Sequence, residues 1–280
     1  MKTTFLPIWA TGIILSLLLL VSCKDEPANN KITSPKTYLL VHGAGHGGWA
    51  WKKVVPLLEA QGHRVLAIDL PSHGEDKTHP EKVTLNDYVQ KVVDVAHAQT
   101  GPVILVGHSS GGVTIAGAAE RLGASKVEKL IFLDAFLPGN GESVFSLAAK
   151  FLPPSETGEP DFTSSFIFDE QGTTFRLDTA RVAHFLYHDC LPEDISFAKA
   201  NLSRQPVAPF ATPVQLSDAI YGAIPKYYIL CLEARNGDMF QMATNVPVNQ
   251  IVTLSTSHSP FFSRPQALAD LILKFNTSYP

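Results

Sequence analysis

From Tyr38 onward six short apolar runs alternate with stretches long enough for helices, and that alternation constrains the fold more than any other feature of the chain. The runs are Tyr38 to Val41, Val65 to Leu70, Val103 to Val106, Leu130 to Leu133, Tyr227 to Leu232 and Ile251 to Leu254. Strands that are apolar along their whole length bury both faces, which calls for helices on each side of a parallel sheet. The pattern predicts an α/β fold with a mostly parallel six-stranded sheet and flanking helices. Between the second and third runs, Thr84 and Asp87 form a capping box, and Leu85, Tyr88, Val89, Val92 and Ala96 recur at helical spacing. A surface helix with one buried face is expected there, and a closing helix over Pro265 to Lys274.

The alternation stops after Pro138 and resumes near Pro213. The stretch between, about residues 139–212, has no strand-like run and is broken at Leu152-Pro153-Pro154 and Gly158-Glu159-Pro160. From Phe136 to Phe197 it holds nine of the 16 Phe. An insert of this size with so many breaks is too small to stand alone as a domain. It reads as a mostly helical, aromatic-rich cap over a pocket in the main domain at residues 37–280.

The first residues read as a targeting signal. Lys2 supplies a positive start, and Ile13 to Val21 is an apolar run broken only by Ser16, short of the ~20 residues that span a bilayer. It ends in Leu20-Val21-Ser22-Cys23, which resembles the lipobox of bacterial lipoproteins. Residues 1–22 are expected to be a signal peptide, Cys23 to carry lipid, and 23–36 to be a tether. That places the protein outside the cell membrane of a bacterium, on the periplasmic side or cell surface, with the lipid as its membrane contact. Of the other two cysteines, Cys231 sits inside an apolar run and reads as a buried small hydrophobe. The formal net charge of -4 gives no electrostatic reason to expect a nucleic-acid partner.

Two glycine-rich signals compete. The first run leads into His42-Gly43-Ala44-Gly45-His46-Gly47-Gly48, which satisfies G-x-G-x-x-G, and Asp69 follows where a dinucleotide fold carries its ribose-binding acid. A nicotinamide-dependent oxidoreductase is therefore one reading, although Trp49 and Trp51 crowd the helix start it requires. The second signal is Val103 to Val106 passing into Gly107-His108-Ser109-Ser110-Gly111 and a small-residue helix. A G-x-S-x-G turn between strand and helix lifts the Ser109 hydroxyl above the sheet, with glycines where a side chain would strike neighbouring backbone. The N–H of Ser110, at the positive end of the helix, then faces a developing oxyanion.

A serine nucleophile needs a base, and of ten histidines only His258 follows the last apolar run. His108 is expected to pack beside the turn, and His42 and His46 to shape the glycine-rich loop. His184 and His188, expected four apart on one cap helix, lack a convincing third ligand beyond Asp189 and Cys190, so no metal site is expected.

These segments together resemble the α/β-hydrolase superfamily, within it the branch of plant methyl esterases and hydroxynitrile lyases with bacterial esterase relatives. The likeness runs from about Thr37 to Phe275 and rests on six segments: Leu40 to Ala44 with Gly47 to Trp49, Asp69 to Gly74, Gly107 to Gly112, Phe132 to Pro138, Tyr187 to Cys190, and Thr256 to Pro260. The resemblance implies Ser109 as nucleophile, His258 as base, and the N–H groups of Ala44 and Ser110 as oxyanion hole. It argues for ester hydrolysis over lyase chemistry, because those lyases carry Thr where this chain has Gly43 and Lys where it has Ser259.

One position departs from the pattern. The relatives carry an Asp shortly after the fifth run, and Ala234 stands there. Three acids could replace it: Asp134 at the end of the fourth run, Glu233, or Asp238. Asp134 ranks first, because it resembles the haloalkane dehalogenase arrangement in lying four residues before a Pro, Pro138. The expected function is hydrolysis of small to medium carboxylic esters without cofactor, the Phe-rich cap favouring an apolar or aromatic group. Ala234 also leaves open a homologue that binds ligand with impaired turnover.

Overall fold

The computed structural model describes residues 1–3, 34–152 and 161–276. The signal-peptide reading, Cys23 and the two Pro-containing breaks at 153–160 lie outside the described residues, as does most of the tether. The elements below all fall in Ser34–Pro280.

The strands are β1 (Thr37–Val41), β2 (Arg64–Ile68), β3 (Val103–His108), β4 (Val127–Leu133), β5 (Phe166–Phe168), β6 (Thr174–Leu177), β7 (Gln205–Pro206), β8 (Lys226–Cys231) and β9 (Gln250–Leu254). Six of them form one sheet in the order β2-β1-β3-β4-β8-β9. Every neighbouring pair in it is parallel. Each coincides with one of the six apolar runs to within a few residues. The four inner strands owe this legibility to burial: β3 is buried at all six positions, and β1, β4 and β8 are buried at all but one.

The helix Leu85–His97 begins at the expected capping box, with Asp87 N–H donating to Thr84 Oγ1 and Thr84 N–H donating to Asp87 Oδ2. Its buried positions are Leu85, Tyr88, Val89, Val92, Val93 and Ala96, one stripe at helical spacing. The helix Gly111–Leu122 is buried along nearly its whole length, which its small residues permit. The closing helix spans Pro265–Lys274.

The insert differs from the sequence reading in one respect. Besides the helices Val144–Phe151, Val182–Phe185, Pro192–Asn201 and Ala208–Ala211, it contains a three-stranded antiparallel sheet, β5-β6-β7. Its strands are three, four and two residues long. Elements that short cannot display an alternation of polar and apolar residues, so no strand signal exists to be read. Aromatic contacts join the first two of these strands, with Phe175 wholly buried between Phe166 and Phe168 at ring separations of 4.8 and 5.4 Å.

In an open parallel sheet, ligands bind beyond the carboxyl ends of the strands where the winding reverses. Here the chain moves outward from β1 to β2 and returns on the other side to β3. The loops leaving β1 and β3 therefore meet above the sheet, next to those leaving β4, β8 and β9.

Candidate active site

Ser109 follows β3 directly and has φ +53°, a left-handed conformation rarely adopted by a residue with a side chain. Backbone hydrogen bonds hold it there: Ser109 N–H donates to Leu133 O at 3.3 Å, and Ser109 O accepts from Phe136 N–H at 3.0 Å and Gly112 N–H at 3.1 Å. The flanking glycines are required by crowding. A Cβ at Gly107 would meet Gly111 O at 2.9 Å, and one at Gly111 would meet His42 O at 2.6 Å.

Asp134, just past β4, is also left-handed at φ +42° and wholly buried. Its Oδ1 accepts from Cys231 N–H at 3.1 Å, while Oδ2 lies 2.6 Å from Nδ1 of His258. His258 is 2% exposed and sits beyond β9, on the turn entering a short helix at Pro260–Ser263. A contact this short between ring nitrogen and carboxylate is a charge-assisted hydrogen bond donated by Nδ1–H. It fixes the tautomer and leaves Nε2 as the basic nitrogen.

The other two acids are elsewhere. Glu233 is exposed, and Asp238 is an exposed N-cap whose oxygens accept from the backbone and side-chain N–H groups of Gln241. One group near the base was not foreseen: the buried Asn236 carboxamide, with Nδ2 3.0 Å from His258 Nδ1. The only sequence signal for it is its place two residues after Ala234.

The loop after β1 is pinned from several sides. His42 Nδ1–H donates to Gly43 O at 2.8 Å and His46 Nδ1–H to Ala44 O at 2.8 Å, while their other ring nitrogens accept from Leu70 N–H and the Tyr187 hydroxyl. Burial pushes His46 down to about 4 and His42 and His108 well below their ordinary value, so all three rings are neutral. His108 packs beside the turn, donating from Nε2 to His258 O at 2.9 Å. Gly45 is gripped by the insert, its N–H donating to Gln205 Oε1 at 3.1 Å and its carbonyl accepting from Ser203 N–H at 2.8 Å. The insert also clamps the His258 loop, because Asp189 Oδ2 accepts from Thr256 Oγ1 at 2.8 Å and Ser257 N–H at 3.1 Å.

Ser109, Ala44 and Ser110 line one cleft, whose remaining wall includes Phe136, Phe145, Phe162, Phe166, Phe210 and Leu152. Among the described residues neither Ala44 N–H nor Ser110 N–H donates a hydrogen bond. The cleft thus combines an apolar wall with two unspent backbone donors and a serine on a strained turn.

The competing glycine signal has a structural explanation. Gly48 opens a single 3₁₀ turn, Gly48–Trp51, and Asp69 accepts from Gly48 N–H at 2.6 Å and Glu75 N–H at 3.0 Å. Both of its oxygens are occupied by turns. His184 and His188 do not share a helix either; the helix ends at Phe185, and His184 Nδ1 accepts from the Arg235 guanidinium at 3.0 Å.

A model described as the alpha/beta hydrolase family matches residues 38–271. The chain belongs to this family. It is 34% identical over 254 residues to putative methylesterase 11, chloroplastic, of Arabidopsis thaliana, covering 85% of this chain and 63% of that protein. It is 32% identical over 269 residues to salicylic acid-binding protein 2 of Nicotiana tabacum, covering 87% and 98%. A pyrethroid hydrolase from Sphingobium faniae superposes with TM-score 0.76 at 31% identity, over 87% of this chain and 98% of that one.

These comparisons correct the expectation of a bacterial lipoprotein held at a membrane through Cys23. The curated relatives are plant proteins, most of them named as methylesterases and three of those as chloroplastic, and none of those compared is described as a lipoprotein. The physical reason is the small information content of the signal: an apolar run after a single Lys, closed by small residues and a Cys, serves several kinds of segment. Among the described residues no helix is long and apolar enough to cross a membrane.

Proposed function

We propose that this alpha/beta hydrolase cleaves small to medium carboxylic esters through an acyl-enzyme, with Ser109 as nucleophile, His258 as general base and Asp134 as the acid that orients it. The 2.6 Å contact between His258 Nδ1 and Asp134 Oδ2 carries this reading, because it supplies the oriented base that Ala234 left in doubt. His258 Nε2 takes the Ser109 proton as Oγ attacks the carbonyl, and the N–H groups of Ala44 and Ser110 receive the oxyanion. Collapse expels the alcohol, which takes its proton from His258. Water, deprotonated by the same ring, then hydrolyses the acyl-serine.

The wall of five phenylalanines supports an apolar or aromatic group on the substrate. Relatives named as methylesterases support methyl esters among the substrates. Hydrolysis of p-nitrophenyl acetate and butyrate by the protein and by Ser109→Ala tests the reading. Turnover that depends on Ser109 is expected. Equal rates for the two proteins would overturn it in favour of a ligand-binding homologue.

A further inference from the structure

A second polar group reaches the nitrogen of His258 that Asp134 holds. Asn236 Nδ2 lies 3.0 Å from Nδ1, the atom that Asp134 Oδ2 approaches to 2.6 Å. Asn236 is 3% exposed, and its Oδ1 has no hydrogen-bond partner among the described residues. A buried amide with one end unpaired costs stability, so its presence beside the base calls for a reason.

The hydrogen-bond inventory restricts what that amide can do. Nδ1 carries one hydrogen, and the carboxylate takes it. An amide N–H aimed at the same atom would oppose donor to donor, whereas the two ends of a carboxamide have the same shape. Rotated about its terminal bond, Asn236 presents its carbonyl oxygen as a second acceptor for Nδ1–H. The unpaired end then becomes an N–H₂ group. The two acceptors come from different elements, Asp134 from the end of β4 and Asn236 from the loop after β8, so together they hold the ring from two sides.

We propose that Asn236 is a positioning residue for His258, sharing Nδ1 with Asp134. The inference rests on the serine-esterase reading above. It has a consequence that a mere space-filling role would not have. A carboxylate at position 236 lies within reach of Nδ1 with no movement of the backbone, so the acid can be transferred from β4 to the β8 loop by exchanging carboxylate and carboxamide. The double variant Asp134→Asn/Asn236→Asp does this without changing net charge or the size of either side chain. The carboxamide placed at position 134 would still offer its oxygen to Cys231 N–H.

The experiment compares kcat, KM and pH profiles on p-nitrophenyl butyrate for Asp134→Asn, Asn236→Asp and the double variant. Asp134→Asn is expected to lower kcat by about 10⁴-fold. The double variant is expected to recover about tenfold or more of that loss, mainly in kcat. Asn236→Asp alone sets a second carboxylate against an imidazole already flanked by Asp134, His108 and His46. The added charge favours the imidazolium, so the acid limb of kcat/KM should move to higher pH by about one unit.

A double variant that melts like Asp134→Asn yet gains nothing over it would overturn the proposal. Should the double variant fail to fold, an unmoved acid limb in folded Asn236→Asp overturns it as well. Full activity in Ser109→Ala or His258→Ala would instead remove the esterase reading on which the proposal stands, which distinguishes the two failures.

Discussion

Asp134 and His258 are 124 positions apart in the chain, and their side chains meet at 2.6 Å with both residues buried. The carboxylate leaves the end of β4 while the ring hangs from the turn after β9, with β8 between them in the sheet. The geometry gives one acid of three a path to the base. Asp134→Asn should therefore reduce kcat by about 10⁴-fold. Glu233→Gln and Asp238→Asn, on exposed residues, should stay close to the unmodified rate. Steady-state kinetics on one chromogenic ester decides among them, and a full rate for Asp134→Asn would exclude it as the orienting acid.

Stability should fall in mild acid because of buried neutral histidines. Burial lowers His46 from 6.5 to about 4. Between those values the unfolded chain binds the proton and the folded chain does not, so the contribution is complete above pH 6.5 and is lost as pH drops toward 4. At ~1.36 kcal/mol per unit the loss is about 3 kcal/mol from this residue. His42 and His108, lowered for the same reason, act with the same sign. Urea unfolding at pH 7, 6 and 5 should show declining stability, with a shallower decline in His46→Gln. A flat profile would contradict this account.

Gln205 joins the insert to the loop that holds Ala44. Its Oε1 accepts from Gly45 N–H and from His73 Nε2–H, and its Nε2 donates to the Tyr88 hydroxyl. Gln205→Leu removes these bonds, and the one Nε2 donates to Pro206 O, at a buried position and should lower stability by about 1–3 kcal/mol. It should also depress kcat, since the Ala44 N–H loses its fixed direction. Gln205→Glu retains the acceptor and should lose less activity. Equal kcat in the leucine variant would show that the loop holds its shape without the insert.

Gly112 follows the second glycine of the serine turn, and a Cβ there would lie 2.1 Å from Phe136 O. Helix propensity alone favours alanine over glycine by about 1 kcal/mol. The clash opposes it, because the obstacle is backbone that is itself tied to this turn, Phe136 N–H donating to Ser109 O. Gly112→Ala is expected to destabilise by about 1–3 kcal/mol, seen as a lower Tm. A raised Tm would mean that the segment after β4 yields easily.

How much could be read in advance depended on range. The six strands were legible because each inner strand is sandwiched and must be apolar at consecutive positions, and the helix Leu85–His97 because one side alone is buried. The turn at Ser109 was legible because strand, glycines and helix adjoin in the chain. The antiparallel strands of the insert were not, being too short for any period. Asn236 was invisible for another reason: nothing in its neighbours distinguishes an asparagine on a loop from one beside a histidine.

The amino-acid sequence by itself determined the parallel sheet, the serine turn, the late histidine and the absence of an acid at position 234. All of these are set by local crowding, periodicity or order along the chain. Tertiary structure alone decided which carboxylate meets His258 and that a carboxamide joins it there. Such contacts depend on the spatial order of β4, β8 and β9, and a hydrogen bond 2.6 Å long between groups 124 residues apart leaves no trace in the spacing of either.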